Sequence, residues 1–414
     1  MRSLIKLSLT AILLISHSVF AANLVDEKNG FKTKLIQKQQ ENNQYPIPPN
    51  NDVSLVKFDT KIGKMSAFIS NVDTTKKKKY PAIIWLTGGF PSGGASESVW
   101  QDRPVDNDQS AKSYRLNDIV MMIPSYRGTF SNPGLQENFL GEVDDVLAAL
   151  DYLLSLKHVD PKQIYLGGHS TGATLALLTA ASTDKFKAVF AFGAVADPKN
   201  YGYDTQLHDT TNPKESYFRA PINFLQYIQS KTYIIEGENG NADSIETMKV
   251  KNGDNNKNLI FVVIEGADHF SVLYPLNEMI AKNIKNNKVF KIKDKSLQKT
   301  FSDFAGQQLK DDDILALKEI EANDYPMSKK TIFMYTTVSN SKKDLKKSIN
   351  DFENSGYVVT DIAFYGESEG VKYYSLYVGK VLVPKRKKDV FKSSKIVNAI
   401  ANKNGLIYFG WELN

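Results

Sequence analysis

The sequence predicts an α/β protein, a doubly wound and mostly parallel sheet, followed by a smaller C-terminal α+β unit. Three observations carry this reading. Six continuous apolar runs alternate with helix-like segments between residues 82 and 286, as expected of parallel strands buried on both faces. The alternation breaks after Lys288, and a second, shorter pattern begins near Met327. The chain has 414 residues, more than one ordinary core usually fills.

The N-terminus stands apart from both units. Arg2 and Lys6 precede the apolar stretch LSLTAILLISHSVF, and small residues follow at Ala21 and Ala22. This is the pattern of a secretory signal peptide over 1–22, cleaved after Ala21 or Ala22. The apolar run is shorter than the roughly 20 residues of a spanning helix, so no stable membrane span is expected. The expectation is a periplasmic or secreted protein. The chain has no cysteine, which excludes disulfides, a thiolate nucleophile and cysteine-ligated zinc.

The larger unit is expected over 23–290. VSLVKF and MSAFISN read as two β-stretches joined at KIGK. The tract Lys76–Lys79 then leads into the first buried strand, AIIWLT (82–87). Without interleaved aromatic residues, the lysines read as a solvated turn rather than a nucleic-acid surface. The remaining buried runs are DIVMMIPS (118–125), QIYLGG (163–168), AVFAFGAV (188–195), TYIIEGE (232–238) and LIFVVIEG (259–266). Helices are expected at 142–157, 171–182 and 272–286. In the first, Val143, Val146, Leu147, Leu150, Leu153 and Leu154 form one helical stripe.

A charged linker with a short helix is expected over 291–326. Its Asp311-Asp312-Asp313 reads as acids in a first helical turn rather than a metal site. The C-terminal unit, 327–414, follows a β-α-β-β-α-β order, the ferredoxin-like arrangement. It is basic, with 15 Lys+Arg against 8 Asp+Glu, whereas residues 23–326 hold 35 against 38. Such asymmetry suggests modules with different partners.

The chemistry centres on Gly168-His169-Ser170-Thr171-Gly172, a G-x-S-x-G pattern with a strand before it and a helix after it. That context makes Ser170 a nucleophile on a strained strand-to-helix turn. An acid and then a histidine should follow, each after a strand. Five histidines are present, and His269, directly after the last buried run, is the expected general base. The loop after TYIIEGE offers Glu236, Glu238 and Asp243. Loop reach beyond the strand's carboxyl edge favours Asp243 as the triad acid, with Glu238 the alternative. An oxyanion hole needs backbone N–H donors. The expected ones are Thr171 and, from the glycine-rich loop LTGGFPSGG, Gly88, Gly89 or Phe90. That loop lacks the lysine of a phosphate-binding G-x-x-x-x-G-K-[ST].

TGGFPSGG, PSYRGTFSNPG, GEVDDVLAALDYL, VDPKQIYLGGHSTGATLALL and EGADHF together resemble the α/β-hydrolase superfamily. The resembled branch is that of the prolyl-oligopeptidase-like (S9-type) and dienelactone-hydrolase-like serine hydrolases, over about residues 50–290. The resemblance implies Ser170 as nucleophile, His269 as base and Asp243 as acid, with Tyr126-Arg127-Gly128 shaping a pocket near the oxyanion loop. It implies a small ester or acyl-peptide substrate and no cofactor. Two departures stand out. The family's acid usually lies three residues after the glycine closing its strand, a slot held here by Gly240. The roughly 60 residues between the signal peptide and AIIWLT are also too few for the propeller of S9 peptidases, which favours esterase over peptidase action.

An insertion at about 197–222, with Tyr201, Tyr203, His208, Phe218 and Arg219, is expected to set substrate choice. Arg219 is a candidate for a substrate carboxylate or for a surface ion pair. The C-terminal unit resembles the ribonuclease E inhibitor (RraB-type) family through its element order, Ser355-Gly356-Tyr357 and the ending YFGWEL. That resemblance implies a protein-binding module. An exported chain would not meet a cytoplasmic ribonuclease, so inhibition is not carried over. The cluster Lys385-Arg386-Lys387-Lys388 is its most basic feature. The competing expectation for the whole chain is a catalytically weak hydrolase-fold binding protein that engages a protein partner through this module.

Overall fold

The computed structural model describes residues 23–49, 52–89, 97, 100–101, 103, 105–202, 205–288, 290, 309–368 and 371–413. The chain divides into two compact units, residues 1–291 and 292–414. The expected signal peptide, Phe90 and Tyr203 lie outside the described residues.

The first unit is built on one eight-stranded sheet. Its strands are β1 (Val53–Thr60), β2 (Gly63–Ser70), β3 (Tyr80–Leu86), β4 (Val120–Pro124), β5 (Val159–His169), β6 (Ala188–Phe192), β7 (Lys231–Gly237) and β8 (Leu259–Ile264). They lie in the order β1-β2-β4-β3-β5-β6-β7-β8. The first hairpin is antiparallel and joins β4 antiparallel; every later pair is parallel. This is the α/β-hydrolase arrangement. The central strands β3 and β4 are almost wholly apolar and buried along their length, because helices cover both faces.

The helices of this unit are α1 (Leu24–Glu27), α2 (Glu142–Ser155), α3 (Thr171–Ala180), α4 (Pro213–Arg219), α5 (Ala242–Asn252) and α6 (Leu273–Lys285). The apolar stripe of α2 packs into the main core through Val143, Val146, Leu150 and Leu153. Helix α3 shows no such stripe, and all ten of its residues are buried. A helix apolar all round belongs in the interior, and here it sets the turn at Ser170 against the sheet. Asn212 caps α4, its side chain accepting from the Lys214 amide at 3.0 Å.

The second unit holds a helix over 309–322, here α7. It continues with β9 (Thr331–Ser339), α8 (Lys342–Asn354), β10 (Val358–Val359), β11 (Ala363–Ser368), β12 (Val371–Leu382), α9 (Lys387–Lys403) and β13 (Ile407–Leu413). The sheet is antiparallel, in the order β10-β12-β9-β13, with β11 also on β12. The segment expected as one strand, YVVTDIAFYG, is split into β10 and β11. Helix α7, expected within a linker, contributes Leu317 to this unit's core. Asp313 accepts hydrogen bonds from Ser394 Oγ at 2.9 Å and Trp411 Nε1 at 2.6 Å. The aspartate run therefore supplies a buried tie between α7, α9 and β13.

Candidate active site

Ser170 sits between β5 and α3 with φ 55° and ψ −120°, a region that costs a non-glycine residue roughly 1–3 kcal/mol. Close packing holds it there. A Cβ on Gly172 would lie 2.1 Å from the Leu86 carbonyl oxygen, and one on Gly168 would lie 2.5 Å from the Gly172 oxygen. Only glycine fits at these two motif positions, so the motif follows from packing as well as chemistry. The Ser170 amide donates to the Phe192 carbonyl at 2.7 Å and fixes the turn to β6.

The turn also meets the loop after β3. A Cβ on Gly88 would come within 2.9 Å of Ser170 Cβ, and Thr171 Oγ1 donates to the Gly89 carbonyl at 3.2 Å. Gly89 has φ 105°, a conformation that favours glycine. Thr171 opens α3, where a first-turn N–H has no intrahelical acceptor. Helix N-termini favour developing negative charge. The Thr171 amide and the 87–89 loop thus flank the space beside Ser170 where an oxyanion would form.

His269 follows β8 in the loop before α6. Its Nδ1 is 2.8 Å from Oε2 of Glu236, so the carboxylate that meets His269 is Glu236 and not the expected Asp243. Asp243 is exposed in the first turn of α5. Glu238, the alternative, accepts from the Gly266 amide at 3.0 Å instead. Loop reach misjudged the acid, because Glu236 extends directly from the end of β7. Its side chain is fully buried and accepts from the amides of Gly237 at 2.7 Å and Asn241 at 2.9 Å. A Cβ on Gly240 would be 2.6 Å from the Glu236 carboxyl carbon. The glycine in the family's usual acid slot therefore makes room for a glutamate arriving from the strand. Similarly, a Cβ on Gly193 would be 2.4 Å from His269 Cε1.

His169, inside the G-x-S-x-G motif, ties down the loop that carries His269. Its Nε2 is 2.9 Å from the His269 carbonyl oxygen, so Nε2 carries the proton and donates. The two imidazole rings lie 4.5 Å apart. Burial first, and the neighbouring His269 second, push His169 down to about 3, keeping it neutral across the physiological range. The sequence held no signal for this, since the position between the first glycine and the serine is unrestricted in the motif.

Among the described residues the His269 ring bonds to Glu236 through Nδ1, and no hydrogen bond joins it to Ser170 Oγ. Tyr201, from the insertion, pairs its hydroxyl with Thr174 Oγ1 at 2.8 Å, and burial pushes its phenol up, against smaller opposing contributions from Thr174 and Ser170. The other expected insertion residues turn inward. Arg219 is fully buried, with Nη1 on Glu215 Oε2 at 2.6 Å and further bonds to Thr33 Oγ1 and the Glu137 carbonyl. It is neither a surface pair nor a carboxylate receptor. His208 is buried and bridges to Leu35.

Tyr126 is placed at the pocket beside the oxyanion loop, and Arg127 behind it. Arg127 donates from Nε and Nη2 to Asp145 and from Nη1 to Glu137. A Cβ on Gly141 would overlap the guanidinium, so the Tyr126-Arg127-Gly128 turn is clamped on the start of α2. Among the described residues no group of three His, Cys, Asp or Glu side chains could hold a metal ion. None of the helices described is long and apolar enough to cross a membrane.

No curated protein matches the sequence. Among solved structures, a puromycin-hydrolysing peptidase of Mycobacterium tuberculosis is similar at 16% identity and a TM-score of 0.48, over 59% of this chain and 41% of that one. An acylaminoacyl peptidase of Pyrococcus horikoshii is similar at 13% and 0.48, over 59% and 44%. An esterase of Pyrococcus furiosus is similar at 13% and 0.45, over 61% and 96%. The chain spans less than half the length of either peptidase. Residues 108–275, which carry Ser170, Glu236 and His269, match the prolyl oligopeptidase family.

Proposed function

We propose that the protein is an exported serine hydrolase that cleaves an ester or acyl-peptide bond through an acyl-enzyme on Ser170. The observation that carries this reading is the Glu236–His269 pair beside a serine held at positive φ. Glu236 accepts the Nδ1 proton of His269, which leaves Nε2 as the base. Ser170 attacks the acyl carbon as its proton passes to Nε2. The Thr171 amide and the 87–89 loop receive the oxyanion. Collapse of the intermediate expels the leaving group, which takes the proton from Nε2. Water then enters by the same base and releases the acid.

Export is supported by the charge and apolar pattern of residues 1–22. For the C-terminal unit a protein-binding role is proposed, supported by its excess of 15 Lys+Arg over 8 Asp+Glu and by the sequence resemblance described above. The absence of a Ser170–His269 hydrogen bond favours a second reading, a hydrolase scaffold with little catalysis. The first reading expects that hydrogen bond to form in the substrate complex, where catalytic contacts tighten. Rapid mixing with 4-nitrophenyl acetate separates the two. An initial burst of nitrophenol, with an acetyl adduct on Ser170 by mass spectrometry, is expected. Steady hydrolysis without adduct, or none, would overturn the enzyme reading.

A further inference from the structure

A cavity of about 40 Å³ lies beside the oxyanion loop, enough for roughly three water-sized groups. Gly89 and Thr171 line its mouth toward the nucleophile turn, Phe139 and Leu175 give it apolar walls, and Tyr126 and Glu142 close it. Two buried polar atoms at this cavity have no hydrogen-bond partner, the Tyr126 hydroxyl and Glu142 Oε2. Both residues are more than nine-tenths buried. Their neighbours are already committed. Asn138 accepts from the Leu207 amide and donates to the Thr205 carbonyl, and Glu142 Oε1 accepts from the Glu137 amide at 2.6 Å.

Charge sets the chemistry. Arg127 is the cation that acts on Glu142, and its guanidinium is spent on Asp145 and Glu137. Arg219 is spent on Glu215. Glu142 is left as a carboxyl with no cation bonded to it. Unsatisfied buried acceptors are costly, charged ones most of all. Burial outweighs Arg127 and pushes Glu142 up to about 7, so a cation placed against it would favour its ionised form. The tyrosine hydroxyl oxygen can accept a hydrogen bond from the same cation.

We infer that this cavity is an acyl subsite for a short chain bearing an ammonium group, held between Glu142 and Tyr126. The inference rests on the serine hydrolase reading of Ser170. It names the substrate class that this reading leaves open, a compact aminoacyl ester or amide.

The test uses the full-length chain and isosteric pairs of methyl esters, glycinate against propionate and β-alaninate against butyrate, followed by proton release. The ratio of kcat/KM for amino over alkyl ester is expected to be at least tenfold in one pair. It should fall at least tenfold in Glu142→Gln and less in Tyr126→Phe. In the wild type, methylammonium should slow labelling by a fluorophosphonate, while tetramethylammonium, too large for the cavity, should not at the same ionic strength. A chain that labels at Ser170 but shows a ratio near one and no methylammonium protection overturns the subsite and leaves the nucleophile standing. A folded chain that does not label overturns both.

Discussion

Replacing Glu236 by glutamine separates the acid that the geometry selects from the acid that loop position suggested. Glu236 is buried and holds three donors, His269 Nδ1 at 2.8 Å, the Gly237 amide at 2.7 Å and the Asn241 amide at 2.9 Å. A glutamine has one acceptor oxygen, which can serve an amide or the imidazole but not all three. If its NH2 faces Nδ1, the ring must accept there and carry its proton on Nε2, where it cannot act as base. If its oxygen faces Nδ1, an N–H of the side chain is driven against a backbone amide. Loss of the negative charge also removes stabilisation of the imidazolium that forms during attack. An equivalent change in a serine protease triad lowers turnover by about 10⁴. A loss of roughly 10³–10⁴ is therefore expected here, about 4–5.5 kcal/mol of transition-state stabilisation. Asp243→Asn, on the exposed face of α5, should stay within about twofold. The assay is initial-rate hydrolysis of 4-nitrophenyl acetate, with circular dichroism melting to verify folding. Equal losses in both variants, or a folded Glu236→Gln within tenfold of wild type, would refute the assignment.

Three further outcomes follow from the packing. Gly193→Ala places a Cβ 2.4 Å from His269 Cε1 at a φ of 73°, so hydrolysis should fall at least 100-fold while most of the melting temperature is retained; unchanged activity would contradict it. Arg219→Met leaves Glu215 buried without its cation, which should cost about 3–5 kcal/mol in urea unfolding, and a loss under 1 kcal/mol would show the pair to be dispensable. His169 is held neutral, so the unfolded chain takes up a proton between pH 6.5 and about 3 that the folded chain refuses. Its stabilisation is complete above pH 6.5 and is lost as pH falls through that window. His169→Gln should therefore flatten the drop in unfolding free energy between pH 7 and pH 5 by about 2 kcal/mol, and an identical drop in both proteins would count against a buried neutral ring.

Much of the first unit was legible because its signals are local. Continuous apolar runs located the strands, and the glycines around Ser170 marked a turn that nothing larger could make. His269, which meets a buried carboxylate in the structure, was singled out by its place after the last strand. The acid was not, because reach was judged along the loop while the side chain came from the strand. Glu236 is the penultimate residue of β7, and Gly240 clears the space it occupies. Only the fold brings those two together. Arg219 reads as a surface residue in a polar insertion, yet it pairs with Glu215 one turn earlier on α4 and both are buried. Helix α7 looked like part of a linker because its acidic start hides two apolar anchors, the buried Leu317 and the half-buried Ile320, and one aspartate that faces inward. Long-range pairing of this kind leaves no periodic trace. The pocket at Glu142 shows the same limit, since GEVDDVLAALDYL reads as a helix start and its first acid as an ordinary first-turn charge.

The central claim is an activated Ser170, and covalent labelling tests it most directly. The full-length chain would be treated with a fluorophosphonate beside Ser170→Ala and His269→Ala, and the adduct mapped by peptide mass spectrometry. The account expects one adduct, on Ser170, absent from Ser170→Ala and slowed at least 100-fold in His269→Ala. A folded wild-type chain that stays unlabelled, or that labels as fast without His269, would contradict it.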